Sequence, residues 1–258
     1  MEKYADTNGE SVMLRVTLKS PSRKKVRLSV SNPLQKNTFY CDREEEIQGT
    51  EQYYVRMPIS PKTAKIVSNA EIASVEAKAL RPKFTISEID NYMMKSFVFF
   101  AQDFAEQGGY NPSGYRYTSD DGIFAIKYVD QIVDNINGQR VASTTPCRIS
   151  ADTGEIEVNA SRFRGITIPM RMALLLHEYC HFYKNENPES ELEADRNSLF
   201  IYLGLGYPRY EAYFAWLETF DYSTKDNDVK EGHKQRLAQI KNIIDTFDEK
   251  FTSISFIR

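Results

Sequence analysis

Two of the three histidines in this 258-residue chain lie four positions apart, at His177 and His181. With the residues between them they form the pentapeptide His-Glu-Tyr-Cys-His, in which Glu178 follows the first histidine. Side chains four residues apart lie on one face of an α-helix, one turn from each other, so both imidazoles can point at a single ion. The pentapeptide therefore predicts a helix here and a metal centre on one of its faces.

The residue types around the pentapeptide favour Zn²⁺ as the cofactor. Neutral imidazoles and a carboxylate suit zinc, and a catalytic zinc site combines three protein ligands with one open position. A third ligand is expected on a helix shortly downstream, where Glu191 and Asp195 lie four residues apart. We predict His177 and His181 as metal ligands, with either Glu191 or Asp195 as the third. The other acidic residue of this pair is predicted to hold a ligand histidine by a hydrogen bond.

Glu178 and His233 are the candidate catalytic residues. Glu178 lies about 100° round the helix from His177, which is a poor position for chelation but a good one for reaching water at the metal. We therefore predict Glu178 as the general base. His233 is the remaining histidine of the chain. It is predicted to stabilise an oxyanion, with a surface histidine near the start of a helix as the alternative.

The two motifs, His177–His181 and Glu191–Asp195, resemble those of the gluzincin metallopeptidases. The similarity is greatest to families whose second motif is E-x-x-x-D: the HtpX-like peptidases, the prenyl-protein-trimming peptidases and the small minigluzincins. The segments Gly204–Pro208 and His233–Leu237 also resemble later parts of these families, although the usual His-Pro is His-Lys here. The resemblance covers about residues 155–244 and implies a zincin-like fold. It also implies that Glu191 is the third metal ligand and that Asp195 supports the site by holding a ligand histidine. Glu193 stays open as an alternative third ligand.

The resemblance also implies a small sheet before the active-site helix, whose edge strand pairs with the substrate backbone. By its order along the chain, Glu155–Asn159 is the candidate edge strand, and a central strand is the alternative.

Capping residues predict where four helices begin. Helices are expected from a cap at Ser87, from Thr167 with Pro169 in the first turn, from Asn187, and from Pro208.

A change of pattern near residue 83 predicts two parts and the fold class α+β. Before it, apolar and polar residues alternate in Val12–Leu18 and Val26–Val30, which is typical of half-buried strands. Between them, Lys19–Lys24 has the composition of a hairpin turn. We expect a small β-sandwich at residues 1–83 for recruitment or assembly. A zincin-like metallopeptidase domain is expected at residues 84–258, with a small sheet, an active-site helix and C-terminal helices.

Composition and charge narrow the classes of partner and the location. The 33 Lys and Arg residues against 36 Asp and Glu residues give a formal net charge of −3, so no basic excess favours nucleic acid. No apolar run approaches the roughly 20 residues of a membrane helix, so no membrane partner is expected. The polar N-terminus and three widely spaced cysteines favour the cytoplasm, or a large assembly such as a virion.

Two hypotheses of function follow. The first is a zinc-dependent metallopeptidase that hydrolyses peptide bonds, with a protein or peptide as substrate. The second is a structural or assembly protein, for example of a viral particle, that reuses a zincin-like fold. The N-terminal domain supports the second hypothesis because catalysis does not require it, and in either case that domain is expected to bind partner proteins.

Overall fold

Two very long strands form the centre of the N-terminal part of the chain. The computed structural model describes residues 1–108, 112, 114–136, 138–220 and 227–250. Antiparallel hydrogen bonds join the first five strands into one sheet. These strands are β1 (Glu2–Asp6), β2 (Val12–Ser31), β3 (Phe39–Met57), β4 (Thr63–Ser68) and β5 (Glu71–Ala79).

The hairpin turn expected at Lys19–Lys24 is wrong, because β2 runs through it as one strand of 20 residues. The turn residues are accommodated as an irregularity in the pairing. Ser20 pairs with Gly49 and Lys24 with Ile47, so residues 21–23 of β2 face a single residue of β3. Pro21 lies in this unpaired stretch, where its missing N–H breaks no ladder hydrogen bond.

The N-terminal sheet folds back on itself around an apolar interior. Strands β5 and β4 pair with the same edge of β2, β5 with its first half and β4 with its last residues. Strand β1 pairs with the far edge of β4 and also contacts β5, which a flat sheet would not allow. The alternating apolar residues of both halves of β2 are buried, as expected of half-buried strands. The N-terminal part is therefore an antiparallel sheet, and its description as a small sandwich stays a prediction.

A second sheet of four strands precedes the helix that carries the pentapeptide. Its order is β10 (Cys147–Ile149), β11 (Ile156–Asn159), β7 (Ala125–Val129) and β6 (Arg116–Thr118). Strand β11 lies between β10 and β7, so the central alternative for Glu155–Asn159 is correct and the edge assignment is wrong. Among the described residues, β10 is the edge nearest the pentapeptide helix. A separate hairpin pairs β8 (Val133–Ile136) with β9 (Gln139–Ala142).

Six α-helices within the described residues complete the α+β fold class, with a single 3-10 turn (Ile86–Glu88) before the first of them. The helices are α1 (Tyr92–Gln107), α2 (Ala160–Gly165), α3 (Ile168–Tyr183), α4 (Glu191–Gly204), α5 (Arg209–Thr219) and α6 (Asn227–Lys250). None of the helices that the structure describes is both long and apolar enough to cross a lipid bilayer.

The helix starts at Thr167 and Pro208 are confirmed, and the other two expected starts are wrong by a few residues. Helix α1 begins after Asn91, whose side chain accepts a hydrogen bond from a backbone N–H of the first turn, and not after Ser87. Helix α4 begins after Ser190 and not after Asn187, because residues 187–190 form a turn closed by the Ser190 N–H.

Polar contacts connect the N-terminal sheet to the helical part. Arg43 of β3 and Glu211 of α5 form an ion pair of 2.9 Å, and both side chains are largely buried. From the other side, the buried Arg171 of α3 donates to the backbone carbonyl of Asn37. The two parts therefore share a packed boundary, and their division at residues 83 and 84 stays a prediction.

Candidate metal centre

Helix α3 carries the two histidines in the interior of the protein. The Thr167 hydroxyl caps its N-terminus and Pro169 occupies its first turn, which fixes where the helix starts. Its residues from Ile168 to Cys180 are buried, because sheet strands and other helices surround it. His177, Glu178 and His181 of the pentapeptide line one cavity.

Helix α4 brings the acidic motif against α3. Ser190 caps the helix by accepting a hydrogen bond from the Glu193 N–H, so Glu191 is its first residue and points back toward α3. The carboxylate of Glu193 turns away and accepts a hydrogen bond of 3.0 Å from the Asn187 N–H. Of these two glutamates, Glu191 is the one beside the histidines.

Three ligand atoms converge on one point between α3 and α4. The Nε2 atoms of His177 and His181 are 3.0 Å apart. The Glu191 carboxylate lies 3.3 Å from His177 Nε2 and 3.6 Å from His181 Nε2. Atoms at the usual bond length from a tetrahedral zinc ion lie about 3.3 Å from each other, so the cluster has the dimensions of such a site. These three residues can therefore hold a metal ion.

The opposite nitrogen of each ring faces an oxygen atom. His177 Nδ1 lies 3.0 Å from the Asp195 carboxylate, and His181 Nδ1 lies 2.6 Å from the Pro188 carbonyl. With a proton on each Nδ1, the two Nε2 atoms present lone pairs to the shared point. At a separation of 3.0 Å the two Nε2 atoms then need either a shared proton or a cation between them. The residues present thus fit a metal ion.

Asp195 is the centre of a buried network that the sequence did not reveal. Its side chain is fully buried and accepts hydrogen bonds from Trp216 Nε1 at 2.6 Å and from two nitrogens of Arg236. A third nitrogen of Arg236 lies 2.8 Å from Glu191. Helices α5 and α6 therefore hold both acidic residues of the motif. Arg236 lies in the segment His233–Leu237 that resembles a later part of the gluzincin families, but nothing in the sequence linked it or Trp216 to Asp195.

Charges in this cluster shift the pKa values of its members. Burial alone lowers the pKa of His177, but its contacts with Asp195 and Glu191 outweigh this and raise the pKa to about 10. The pKa of Glu191 moves the other way: burial raises it, and the two histidines more than offset this and lower it. Metal binding at neutral pH therefore displaces a proton from His177.

Glu178 lies in the same cavity as the metal cluster. The cavity has a volume of about 510 Å³ and is bounded by β10, α3, α4, α5 and α6. The Glu178 carboxylate faces β10, where Oε2 accepts a hydrogen bond of 2.8 Å from the Ile149 N–H. Its Oε1 accepts from the Cys147 thiol at 3.6 Å. The structure thus places Glu178 beside the cluster without making it a member.

His233 lines the same cavity from α6. Its imidazole stacks on the ring of Phe220, with the ring centroids 4.5 Å apart. Arg236, one turn further along α6, covers the same phenyl ring at 4.8 Å. The structure therefore brings His233 into the cavity with His177, His181, Glu178 and Glu191, while its predicted catalytic role stays a prediction.

Comparisons with protein-family models, with curated proteins and with solved structures find no match for this chain. The assignment of the site therefore depends on its residues and their geometry.

Proposed function

We propose that this chain is a zinc-dependent metallopeptidase of the gluzincin type, with a zincin-like domain from residue 84 onward. The observation that carries the proposal is the convergence of His177 Nε2, His181 Nε2 and a Glu191 oxygen at one side of the cavity that Glu178 also lines. Structural metal sites are closed by four protein ligands, whereas three ligands beside a cavity are typical of catalytic sites.

The proposed division of roles follows from the positions of the side chains. Zinc in such a site supplies a Lewis acid that makes water nucleophilic near neutral pH. Glu178 acts as the general base and accepts the water proton on its carboxylate, which the Ile149 N–H holds in place through Oε2. Asp195 keeps His177 in the tautomer that presents Nε2. His233, which lines the cavity from α6, is proposed to stabilise the developing oxyanion.

The proposed substrate is a flexible protein or peptide segment. Strand β10 forms one wall of the cavity, and an extended chain is proposed to lie along this wall. The Ile149 N–H and the Cys147 carbonyl of this strand are already bonded to Glu178 and to the Thr145 hydroxyl, so the chain would use the remaining backbone groups. The apolar cavity residues Leu174, Trp216 and Phe220 favour an uncharged, apolar side chain next to the scissile bond. The N-terminal sheet is proposed to recruit that substrate or an assembly partner.

The cytoplasm, or a cytoplasmic assembly, is the proposed setting. Cys41, Cys147 and Cys180 are all unpaired and buried, which is typical of proteins kept in a reducing compartment. No role in binding nucleic acid or a membrane is proposed.

The test is hydrolysis of casein by the purified full chain loaded with zinc. We expect cleavage that 1,10-phenanthroline stops and added zinc restores. Glu178→Gln should keep its zinc and lose turnover by at least about 10²–10⁴-fold, the usual contribution of a general base. Glu186→Gln changes an exposed glutamate outside the cavity and serves as the matched control.

A zinc-loaded wild-type chain that leaves casein and other unfolded proteins intact would contradict the proposal. The structural hypothesis, a zincin-like module within an assembly, would then replace the enzymatic one.

A further inference from the structure

Strand β10 contacts Glu178 through two residues and not one. Cys147 and Ile149 are two positions apart on the strand, so their side chains point to the same face. The Ile149 N–H holds Oε2 of Glu178 at 2.8 Å, and the Cys147 thiol lies 3.6 Å from Oε1. Each carboxylate oxygen therefore has its own donor on the same strand.

The surroundings of Cys147 fix the position of its thiol. The residue is buried, lines the cavity and lies in the pairing of β10 with β11, opposite Val158. Its backbone carbonyl accepts a hydrogen bond of 2.7 Å from the Thr145 hydroxyl. Burial and the neighbouring carboxylate both raise the pKa of the thiol far above its usual range, so it stays protonated and acts as a donor.

A carboxylate held at one oxygen can still turn about its terminal bond, whereas one held at both oxygens has a single orientation. We infer that Cys147 is a positioning residue of the proposed peptidase, because its thiol fixes Oε1 of Glu178 while the Ile149 N–H fixes Oε2. This inference rests on the proposed function, since it assigns Cys147 a role through the general base. It adds a constraint on the base that lies outside the pentapeptide.

The kinetic test compares Cys147→Ala and Cys147→Ser with the wild type, each as the zinc-loaded full chain. Loss of the thiol should lower kcat about tenfold, which is the worth of one hydrogen bond to a charged group, and leave KM and zinc content unchanged. Serine restores a donor of similar size, so Cys147→Ser should recover at least half of the wild-type kcat. Cys41→Ala removes a buried thiol from the N-terminal sheet and should leave kcat unchanged.

A second readout needs neither zinc nor turnover. Replacing Glu178 by Gln removes the negative charge beside the thiol, so Cys147 should react with iodoacetamide about tenfold faster than in the wild type. The rate at Cys41, measured on its own peptide by mass spectrometry, should not change. If Cys147 reacts with iodoacetamide at the same rate in both proteins, the proposed contact between its thiol and Glu178 is wrong.

The results separate failure of this inference from failure of the proposed function. One possible result is that the wild type cleaves, Glu178→Gln does not, and Cys147→Ala retains the full kcat. This result would support the peptidase function and contradict the positioning role of Cys147. If a zinc-loaded wild type does not cleave at all, the proposed function and the positioning role fall together.

Discussion

The positions of Glu191 and Glu193 on helix α4 determine which of the two carboxylates lies beside the histidines. Both lie in the first turn of α4, but the cap at Ser190 directs Glu191 toward α3 and leaves Glu193 at the corner. The Glu191 side chain is half exposed and lines the cavity. A carboxylate at this location can bind the metal without closing the open coordination position.

Glu191→Gln should weaken zinc binding by more than about 100-fold, because even residues that only support a ligand contribute about 10–100-fold. Glu193→Gln is the matched control, since its carboxylate contacts a backbone N–H of the corner. Competition with a fluorescent zinc chelator measures both affinities. Equal losses in the two variants, or a larger loss for Glu193→Gln, would show that the third ligand is misassigned.

Trp216 is predicted to tune the site without touching the metal. Trp216→Phe removes the Nε1 donor from Asp195, so the carboxylate holds His177 less firmly and zinc affinity should fall about tenfold. Tyr202→Phe also removes a buried donor, here to the Pro208 carbonyl, and should leave zinc affinity unchanged. A Trp216→Phe variant with wild-type zinc affinity would show that the network does not support the ligand.

At the residue scale, the sequence predicted side chains but not their backbone partners. His177, His181, Glu191 and Asp195 are recognisable because they repeat at helical spacing within two short motifs. The Ile149 N–H and the Pro188 carbonyl cannot be recognised in the sequence. Every residue has a backbone carbonyl, and every residue except proline has a backbone N–H. Trp216 reaches Asp195 from a separate helix, a proximity that depends on tertiary packing.

At the scale of elements, the cap of α4 is predicted to stabilise both the helix and the site. Ser190→Ala leaves the Glu193 N–H without its acceptor and should cost about 1 kcal/mol. For a protein of this size, that cost lowers the melting temperature by about 2–4 °C. Ser190→Asn retains a capping oxygen and should melt within about a degree of the wild type. Equal melting temperatures for Ser190→Ala and the wild type would contradict the capping role.

Element types were more predictable than their boundaries. Helix α3 begins where expected because Thr167 and Pro169 combine a cap with a favourable first-turn residue. The sequence predicts two strands joined by a turn at Lys19–Lys24, whereas the structure has the single strand β2. β2 pairs with β3 both before and after this segment. This pairing outweighs the turn preference of Lys19–Lys24, as tertiary contacts often do in strands.

At the scale of the whole molecule, the Arg43–Glu211 pair couples the N-terminal sheet to the helices. Arg43→Ala leaves Glu211 buried without its partner and should lower the free energy of unfolding by about 3–5 kcal/mol. Arg27→Ala removes an arginine from a more exposed ion pair with Asp42 and should cost at most about 1 kcal/mol. Denaturant unfolding followed by circular dichroism measures both values.

Equal costs for the two arginine variants would show that the boundary between the sheet and the helices is weak. In that case the N-terminal part and residues 84–258 would unfold as separate units.

The most direct test of the central claim is the metal content of the full chain, saturated with zinc, freed of unbound ions and analysed by plasma mass spectrometry. We predict about one zinc ion per chain for the wild type and for Glu178→Gln, because three ligands form the site and Glu178 is not one of them. The double variant with His177→Ala and His181→Ala should retain less than about a tenth of that. A wild-type chain that holds no zinc, or a double variant that holds as much as the wild type, would contradict the metal centre described here.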